Sequence, residues 1–177
     1  LDAVNIAAKT ILVGEGEITI GSGVESMSRA PWSMLKPDRV PTTIPPKMWD
    51  TTVGWRFNNP KMDQLYPIIS LGEAAEVIAE ELQISREDQD QYALKSHERA
   101  VTAINNRVFK DEIVPIKTNL KRGRSKIIEV DEHPRYEIAE NKYNLAINIE
   151  DLSKLRPAFK KDGTVTAGNS SGINDGA

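Results

Sequence analysis

The chain has 177 residues, of which 39 % are hydrophobic and 28 % charged, with a formal net charge of −3. This composition is typical of a soluble globular protein of one domain, or of one domain with a large insertion, and the charge gives no reason to expect a nucleic-acid partner. With no cysteine and two histidines, these residues cannot supply a disulfide, a cysteine nucleophile or a recognisable metal site. No apolar run is long enough to cross a bilayer, so we expect no membrane span in these residues. We expect a cytoplasmic location.

The first elements in the chain predict a layered α/β core. Residues 2–13 have a helical pattern that is apolar over most of its circumference, which is typical of a helix buried on several sides. Gly14 and Gly16 end this helix, and residues 18–23 then predict a short strand whose small residues allow close backbone approach. A helix, a tight glycine turn and a buried strand are the usual sequence of such a core.

Residues 29–60 have a different character, without helical or strand periodicity. A segment of this length is typical of a lid, an interaction loop or a flexible excursion. Its tryptophans indicate that it packs on something, and two interpretations are open, its own domain or a second subunit. The prolines and tryptophans concerned are Pro31, Pro37, Pro41, Pro45, Pro46, Pro60, Trp32, Trp49 and Trp55.

Two helices follow. Residues 72–82 have apolar positions at helical spacing, and Ser85 is predicted to cap a second helix that runs to about Asn106. Glu87 and Asp88 lie in its first turn, where the helix dipole favours acidic residues.

The remaining segments predict strands and turns. We expect strands at 112–116 and 126–130, joined through Gly123 by a solvated turn. This turn is basic, with Lys121, Arg122, Arg124 and Lys126. Residues 131–150 are acidic and predicted to be irregular, and 151–156 form a short helical turn halted by Pro157. After the turn signal at 162–163, the chain is predicted to re-enter a strand at Thr164.

The two ends therefore indicate a buried α/β core, and the middle indicates an inserted α+β domain. The chain opens at Leu1 without an initiator methionine and stops within the small-residue segment 164–177. We expect it to be the middle of a longer protein.

Four motifs carry a resemblance to a known family. They are "GSGVESMSRAP" at 21–31, "SREDQDQYALKSHERA" at 85–100, "RVFKDEIVPI" at 107–116 and "LRPAFKKDGTVTAGNSSGINDGA" at 155–177. In this order and at this spacing they resemble the thiolases, the acetyl-CoA acyltransferases, over essentially the whole chain.

The resemblance implies an α/β fold with an αβαβα core of two similar halves and an α+β loop domain inserted into the first half. Residues 1–28 would belong to the core, residues 29–163 to the loop domain that covers coenzyme A, and residues 164–177 to the strand that returns to the core. The substrates would be CoA and acyl-CoA thioesters, with no other cofactor. The intact protein would be a homodimer or a homotetramer.

The resemblance also implies two-step acyl transfer through a cysteine nucleophile, with a histidine base and a second cysteine as acid/base. The nucleophile would precede Leu1, where a helix N-terminus lowers the pKa of a thiol. None of the three groups is in this chain, so no catalytic residue is assigned and we expect the chain alone to be inactive. His97 and His133 match no catalytic motif, and we assign them surface or structural roles.

Substrate contacts are implied at several positions. Ser171 matches a serine whose hydroxyl bonds the pantetheine arm of CoA, and Ala167 and Gly168 line the same arm. Small residues allow backbone to approach a narrow tunnel. The alternative for Ser171 is a serine that caps a turn.

The resemblance places Leu155 and Phe159 beside the adenine and Arg135 near the nucleotide. For Phe159 the alternative is a core residue, and for Arg135 a solvated side chain among acids. Ser70-Leu71-Gly72 stands where biosynthetic thiolases carry His-Met-Gly, which disfavours a biosynthetic acetoacetyl-CoA enzyme. Leu71 is implied as a CoA contact that keeps the apolar surface the methionine would provide.

Three functions remain open at this point. The first is an active thiolase, the second is a thiolase-like CoA or lipid-binding protein without a nucleophile, and the third is a structural fragment without a ligand.

Overall fold

The computed structural model describes residues 1–37, 43 and 45–176. Of Arg122, within the last range, it describes the backbone but not the side chain. By their internal contacts the residues divide into two compact units. The first unit is Leu1–Ser70 with Ile173–Ala177, and the second is Leu71–Gly172. These bounds differ from the predicted division at residues 28 and 163, which concerns the complete thiolase-like fold and stays a prediction.

The first unit begins with helix α1, Asp2–Leu12, which confirms the predicted helix. The hydroxyl of Thr19 donates to the carbonyl of Ala7 at 2.9 Å, and a Cβ at Gly21 would meet the carbonyl oxygen of Ala3 at 2.8 Å. The chain after the helix therefore lies along one side of α1. No residue of α1 is buried, so the predicted burial on several sides is wrong for the described residues. A single segment cannot cover an apolar surface that extends around most of a helix.

No strand forms at residues 18–23, although one was predicted. A strand needs a neighbour to take its backbone hydrogen bonds, and no described residue pairs with this segment. Pairing begins at Glu25, which exchanges two backbone hydrogen bonds with Gly176 at 2.8 and 3.0 Å. The carboxylate of Asp175 then accepts from the N–H and the hydroxyl of Ser28, both at 2.9 Å.

The predicted aperiodic stretch at 29–60 contains one short hairpin. Strand β1, Trp32–Met34, pairs antiparallel with β2, Met48–Asp50, and residues 38–42 and 44 between them lie outside the described residues. The short helix α2, Pro60–Asp63, follows.

The side chains of Trp49 and Trp55 contact residues of their own unit. The ring of Trp49 lies 4.9 Å from that of Phe57, and Trp55 donates its Nε1 hydrogen to the carbonyl of Ile69 at 2.8 Å. Trp32 is largely exposed. Packing of the segment on a second subunit stays a prediction.

The second unit contains the two predicted long helices. Helix α3 is Leu71–Glu81 and helix α4 is Arg86–Asn105. Ser85 caps α4 as predicted, because its hydroxyl oxygen accepts the N–H of Asp88 at 3.0 Å. Helix α5, Ile149–Ser153, contacts α4. The buried apolar side chains of the described residues all belong to this unit and are Ala79, Val101, Leu152 and Val165.

Strand β3, Ile116–Asn119, pairs antiparallel with β4, Ser125–Ile128. Gly123 has a φ of 71° in the connecting turn, as expected for a glycine there. The hairpin is confirmed, but β3 begins where the predicted strand ends. Residues 112 and 113 instead donate their N–H groups to the carbonyl of Phe109, in a turn that follows α4.

A third hairpin, the second within this unit, lies in the stretch 131–150, so the predicted irregularity of that stretch is wrong. Strand β5, Tyr136–Ala139, pairs antiparallel with β6, Lys142–Leu145. Glu140 and Asn141 connect them with φ angles of 52° and 60°, as a tight hairpin turn requires. The alternation of Tyr136 and Ile138 with polar residues was the signal in the sequence.

The predicted strand at Thr164 does not form. Thr166 makes one isolated antiparallel bridge with Pro157, and the residues around it form turns. The N–H groups of Thr164 and Val165 bond a side chain, Glu76, instead of a neighbouring strand. No helix among the described residues is both long enough and apolar enough to span a membrane.

Candidate functional site

A cavity of about 230 Å³ lies within the second unit. It is formed by α4, the segment before β5, α5 and the turn that follows Val165. Its lining residues are His97, His133, Arg135, Ile147, Asp151, Leu155, Ala167, Gly168 and Ser170. Four of the predicted CoA contacts, Arg135, Leu155, Ala167 and Gly168, are therefore brought together in one place.

The three other predicted contacts are not in this lining. The ring of Phe159 lies against Gly72, where it leaves no room for a Cβ, and is partly exposed. Leu71, next to Gly72, is 92 % exposed. Ser171 is exposed and follows the lining residue Ser170.

The turn that carries Ala167 and Gly168 is anchored on α3 by a buried carboxylate. Glu76 is 3 % exposed, and its two oxygens accept the N–H of Thr164 at 3.0 and 2.9 Å and that of Val165 at 2.8 Å. Burial alone would raise the pKa of Glu76, but these hydrogen bonds and the charge of Lys160 hold that pKa below its ordinary value. Glu76 is therefore a charged anchor for the start of the turn.

A second buried carboxylate anchors the turn on α4. Asp90 is 2 % exposed, and it accepts the Arg86 Nε hydrogen at 2.7 Å and the Asn169 Nδ2 hydrogen at 2.9 Å. The same arginine donates through Nη2 to the carbonyls of Leu152 and Leu155, at 2.7 and 3.1 Å. One buried ion pair thus links α4, the end of α5 and the turn.

Gly168 has a packing reason to be glycine. A Cβ there would lie 2.5 Å from a methyl group of Leu152 and 2.5 Å from one of Leu155. The turn can approach α5 this closely only without a side chain at this position. The sequence-based explanation for this glycine, close approach of the backbone to a ligand, stays a prediction.

The two histidines face the same cavity, although sequence reasoning gave them surface or structural roles. Their ring centroids are 6.1 Å apart with an interplanar angle of 30°, and His97 Nδ1 accepts the N–H of Arg135 at 3.3 Å. Burial lowers the pKa of His97, and the charges of His133 and Arg135 lower it further. A neutral His97 that accepts at Nδ1 carries its hydrogen on Nε2. No local signal connects the two histidines, which come from a helix and a distant loop.

A larger cavity of about 620 Å³ lies at the end of α4, beside the hairpins β3–β4 and β5–β6. Its charged lining residues are Arg107, Lys110, Glu129 and Asp131, and it contains none of the predicted CoA contacts. We therefore take the smaller cavity as the candidate site.

Comparison with known proteins adds the family. The family described as "Thiolase, N-terminal domain" matches residues 1–177. The chain belongs to the thiolase family.

Named thiolases are similar over the whole chain. The beta-ketoadipyl-CoA thiolase of Acinetobacter baylyi is 44 % identical over 177 residues, which are 100 % of this chain and 42 % of that protein. The 3-oxoadipyl-CoA/3-oxo-5,6-dehydrosuberyl-CoA thiolase of Escherichia coli K12 has the same identity and coverage, 44 %, 100 % and 42 %. This thiolase chain therefore spans about two fifths of the length of the curated relatives it matches.

A solved thiolase structure shares the fold. The crystal structure of the Bacillus anthracis acetyl-CoA acetyltransferase matches with a TM-score of 0.74 and 38 % identity. The match covers 98 % of this chain and 40 % of that one. The predicted family and the predicted α/β thiolase fold class are confirmed.

This thiolase chain contributes no thiol to its cavity. Its 177 residues contain no cysteine, so they cannot form an acyl-cysteine intermediate. The cavity offers one permanent cation (Arg135), two imidazoles, a carboxylate (Asp151) and a wall of small and apolar residues.

Proposed function

We propose that the protein is a thiolase that exchanges acyl groups between 3-oxoacyl-CoA thioesters and CoA, and that this chain supplies part of its CoA site. The observation that carries the proposal is the convergence of Arg135, Leu155, Ala167 and Gly168 on one cavity. The family resemblance implies these residues as CoA contacts, and they come from three separate segments of the second unit.

The chemistry of the cavity suits a segment of CoA. A guanidinium such as that of Arg135 binds phosphate oxygens well, and small residues such as Ala167 and Gly168 admit a narrow chain. Leu155 and Ile147 add apolar surface. Since pockets that enclose a whole drug-sized ligand measure about 300–1,000 Å³, a cavity of about 230 Å³ holds part of the cofactor-sized CoA molecule.

The proposed reaction is thiolysis. A cysteine thiolate attacks the 3-oxo carbon, the bond between carbons 2 and 3 breaks, and the released acetyl-CoA carbanion takes a proton. The thiol of a second CoA then attacks the acyl-cysteine, which yields the shortened acyl-CoA and restores the cysteine. The cysteine is not among these 177 residues, so the residues described here bind and orient.

The names of the relatives support particular substrates. Two relatives at 44 % identity are named for 3-oxoadipyl (beta-ketoadipyl) CoA thioesters, so we propose 3-oxoadipyl-CoA as the first substrate to test. Ser70 and Leu71 in place of a His-Met pair favour this over acetoacetyl-CoA synthesis. A role in fatty-acid metabolism, a homo-oligomeric state and a cytoplasmic location belong to the same proposal.

The test is turnover by the full-length natural protein. We expect thiolysis of 3-oxoadipyl-CoA in the presence of CoA, followed as loss of the enolate absorbance of the 3-oxoacyl thioester, and a smaller rate with acetoacetyl-CoA. No turnover with either thioester, in a protein that binds CoA by calorimetry, would contradict the proposal. That result would establish the second candidate, a CoA-binding protein of this family without catalysis, which the absence of cysteine from this chain keeps open.

A further inference from the structure

The segment 54–57 in the first unit is held in place by its aromatic side chains. Trp55 donates its Nε1 hydrogen to the carbonyl of Ile69 at 2.8 Å, and the ring of Phe57 lies 4.9 Å from that of Trp49. Phe57 also has a φ of 53°, in the left-handed region that bulky residues rarely adopt. Such strain persists only where the surroundings impose it, and it clusters at functional sites. The segment therefore calls for a reason beyond the connection of β2 to α2.

Arg56, inside this segment, has unused hydrogen-bonding capacity. It is exposed, and its guanidinium donates from Nη1 to the carbonyl of Gly54 at 3.1 Å. The ion pairs formed among the described residues do not include Arg56. The carboxylate of Asp50, in the same unit, accepts the N–H of Thr52 at 2.8 Å instead. A guanidinium presents a planar fork of N–H donors that matches the two oxygens of a carboxylate, so Arg56 can bind one that comes from a ligand.

The surface around Arg56 is apolar and carries a second positive charge. Its neighbours Val53, Trp55 and Phe57 are exposed large hydrophobic residues. Lys47 Nζ lies 5.0 Å from the ring centre of Trp49, which is the aromatic partner of Phe57. An aliphatic chain that ends in a carboxylate has the complementary features, since its methylene groups suit the apolar surface and its charge suits the cations.

We propose that Arg56 is a specificity-determining residue that binds the terminal carboxylate of a dicarboxylic acyl chain. The inference rests on the proposed function, from which it takes a 3-oxoacyl-CoA thioester as the substrate. The first substrate proposed, 3-oxoadipyl-CoA, carries a carboxylate at the far end of its acyl chain. A carboxylate that enters a binding site needs a partner there, because burying a charge without one costs much free energy.

Two further observations favour Arg56 for this task. Trp55 binds the carbonyl of Ile69, which directly precedes Ser70 and Leu71 in the chain, and Leu71 is implied as a CoA contact. The segment of Arg56 is therefore tied to the stretch of chain that leads into the expected thioester site. Arg135, the cation of the candidate site, is already proposed to bind phosphate oxygens, so the acyl carboxylate requires a different cation.

The experiment compares thiolysis of 3-oxoadipyl-CoA with that of 3-oxohexanoyl-CoA, in which a methyl group replaces the terminal carboxylate, in the full-length natural protein. Arg56→Met removes the charge and keeps an apolar side chain. It should lower kcat/KM for 3-oxoadipyl-CoA by about tenfold to a hundredfold, as expected for lost hydrogen bonds between charged groups. The loss should appear chiefly as a higher KM, because the carboxylate lies away from the reacting carbons. The value for 3-oxohexanoyl-CoA should not change.

Two further variants separate contact from general effects of charge. Arg56→Lys keeps the charge but not the planar fork, so its kcat/KM for 3-oxoadipyl-CoA should lie between those of wild type and Arg56→Met. Lys61→Met, at an exposed position of α2 in the same unit, is the matched control and should change neither substrate. Thermal melts of all three variants should coincide with that of wild type, since both positions are exposed.

Several outcomes would overturn the inference. Wild-type kcat/KM of Arg56→Met for 3-oxoadipyl-CoA would show that the guanidinium does not contact the carboxylate. An equal fall for both thioesters, in Arg56→Met or in Arg56→Lys if the first does not fold, would assign Arg56 a general role. The same selective loss in Lys61→Met would replace the contact by a long-range effect of charge. Wild type that cleaves 3-oxohexanoyl-CoA but not 3-oxoadipyl-CoA would contradict the inference alone, whereas wild type that cleaves neither would contradict the proposed function and with it the inference.

Discussion

The carboxylate of Glu76 on α3 holds the backbone N–H of Thr164 with both of its oxygens, at 3.0 and 2.9 Å. The two residues are far apart in the sequence, and between them the chain forms α4, the hairpins β3–β4 and β5–β6, and α5. The contact fixes the start of the turn that carries Ala167, Gly168 and Ser170 into the cavity. The Glu76 side chain thus accepts backbone N–H groups that a neighbouring strand would accept in a sheet.

Glu76→Gln should lower the free energy of unfolding by about 2 kcal/mol, since hydrogen bonds to a charged group are worth about 1.5–3 kcal/mol and the amide retains one acceptor oxygen. Urea unfolding followed by circular dichroism measures the change. Glu81→Gln, at an exposed position of the same helix, is the matched control and should change the stability little. Equal stability of the two variants would show that the buried carboxylate is not an anchor.

The lowered pKa of Glu76 predicts that the folded chain loses stability in acid. The pKa of Glu76 in the folded chain is lowered from 4.5, so its stabilisation is present above that pH and is lost as the pH falls through the folded pKa. Wild type and Glu76→Gln should therefore converge in stability in strong acid. A constant difference across the titration would contradict the lowered pKa.

The lowered pKa of His97 predicts a second dependence of stability on pH, in a higher pH range than that of Glu76. Its pKa in the folded chain is lowered from 6.5, chiefly by burial and further by electrostatic interaction with His133 and Arg135. The carboxyl group of Asp151 lines the same cavity. The unfolded chain thus binds more protons, and stability is lost as the pH falls from 6.5 towards the folded pKa.

His97→Gln tests this effect, because glutamine keeps an acceptor for the Arg135 N–H but does not titrate. Compared at about pH 7.5 and about pH 5.5, the wild type should lose more stability than the variant on acidification. A loss of the same size in both proteins would assign the pH dependence to other groups.

Gly168→Ala should destabilise the second unit by about 1–3 kcal/mol, the usual cost of adding volume to a packed site. The new methyl group would meet Leu152 and Leu155, and Leu152 is fully buried and cannot easily move. Gly23→Ala is the control, because a Cβ at Gly23 has nothing within 4 Å. Thermal melts of both variants measure the difference, and a melt of Gly168→Ala at or above that of Gly23→Ala would show that the turn has room.

Ser171→Ala tests the predicted contact that lies outside the cavity lining. If the Ser171 hydroxyl bonds the pantetheine arm, the substitution in the full-length natural protein should weaken CoA binding by about threefold to tenfold and leave the melting temperature unchanged. Calorimetric titration beside a thermal melt distinguishes this from a turn cap. In that case stability would fall by about 1 kcal/mol while the affinity stayed the same.

The sequence by itself determined the long helices and the family. The apolar spacing of α3 and the Ser85 cap of α4 are set by neighbouring residues, because a helix makes its backbone hydrogen bonds within one segment. Four motifs spread over the chain identified a thiolase. The resemblance then implied Leu155, Ala167 and Gly168 in the last motif and Arg135 outside the motifs, and these four residues meet in one cavity.

Only the tertiary structure decided which segments pair, what is buried and which groups complete the site. Residues 18–23 and Thr164 have strand-like patterns but no strand beside them, and a strand exists only through its neighbour. Glu76 and the two histidines gave no local signal, since their roles depend on partners brought together by folding. A buried carboxylate is defined by its surroundings, and these are formed by residues distant in the sequence.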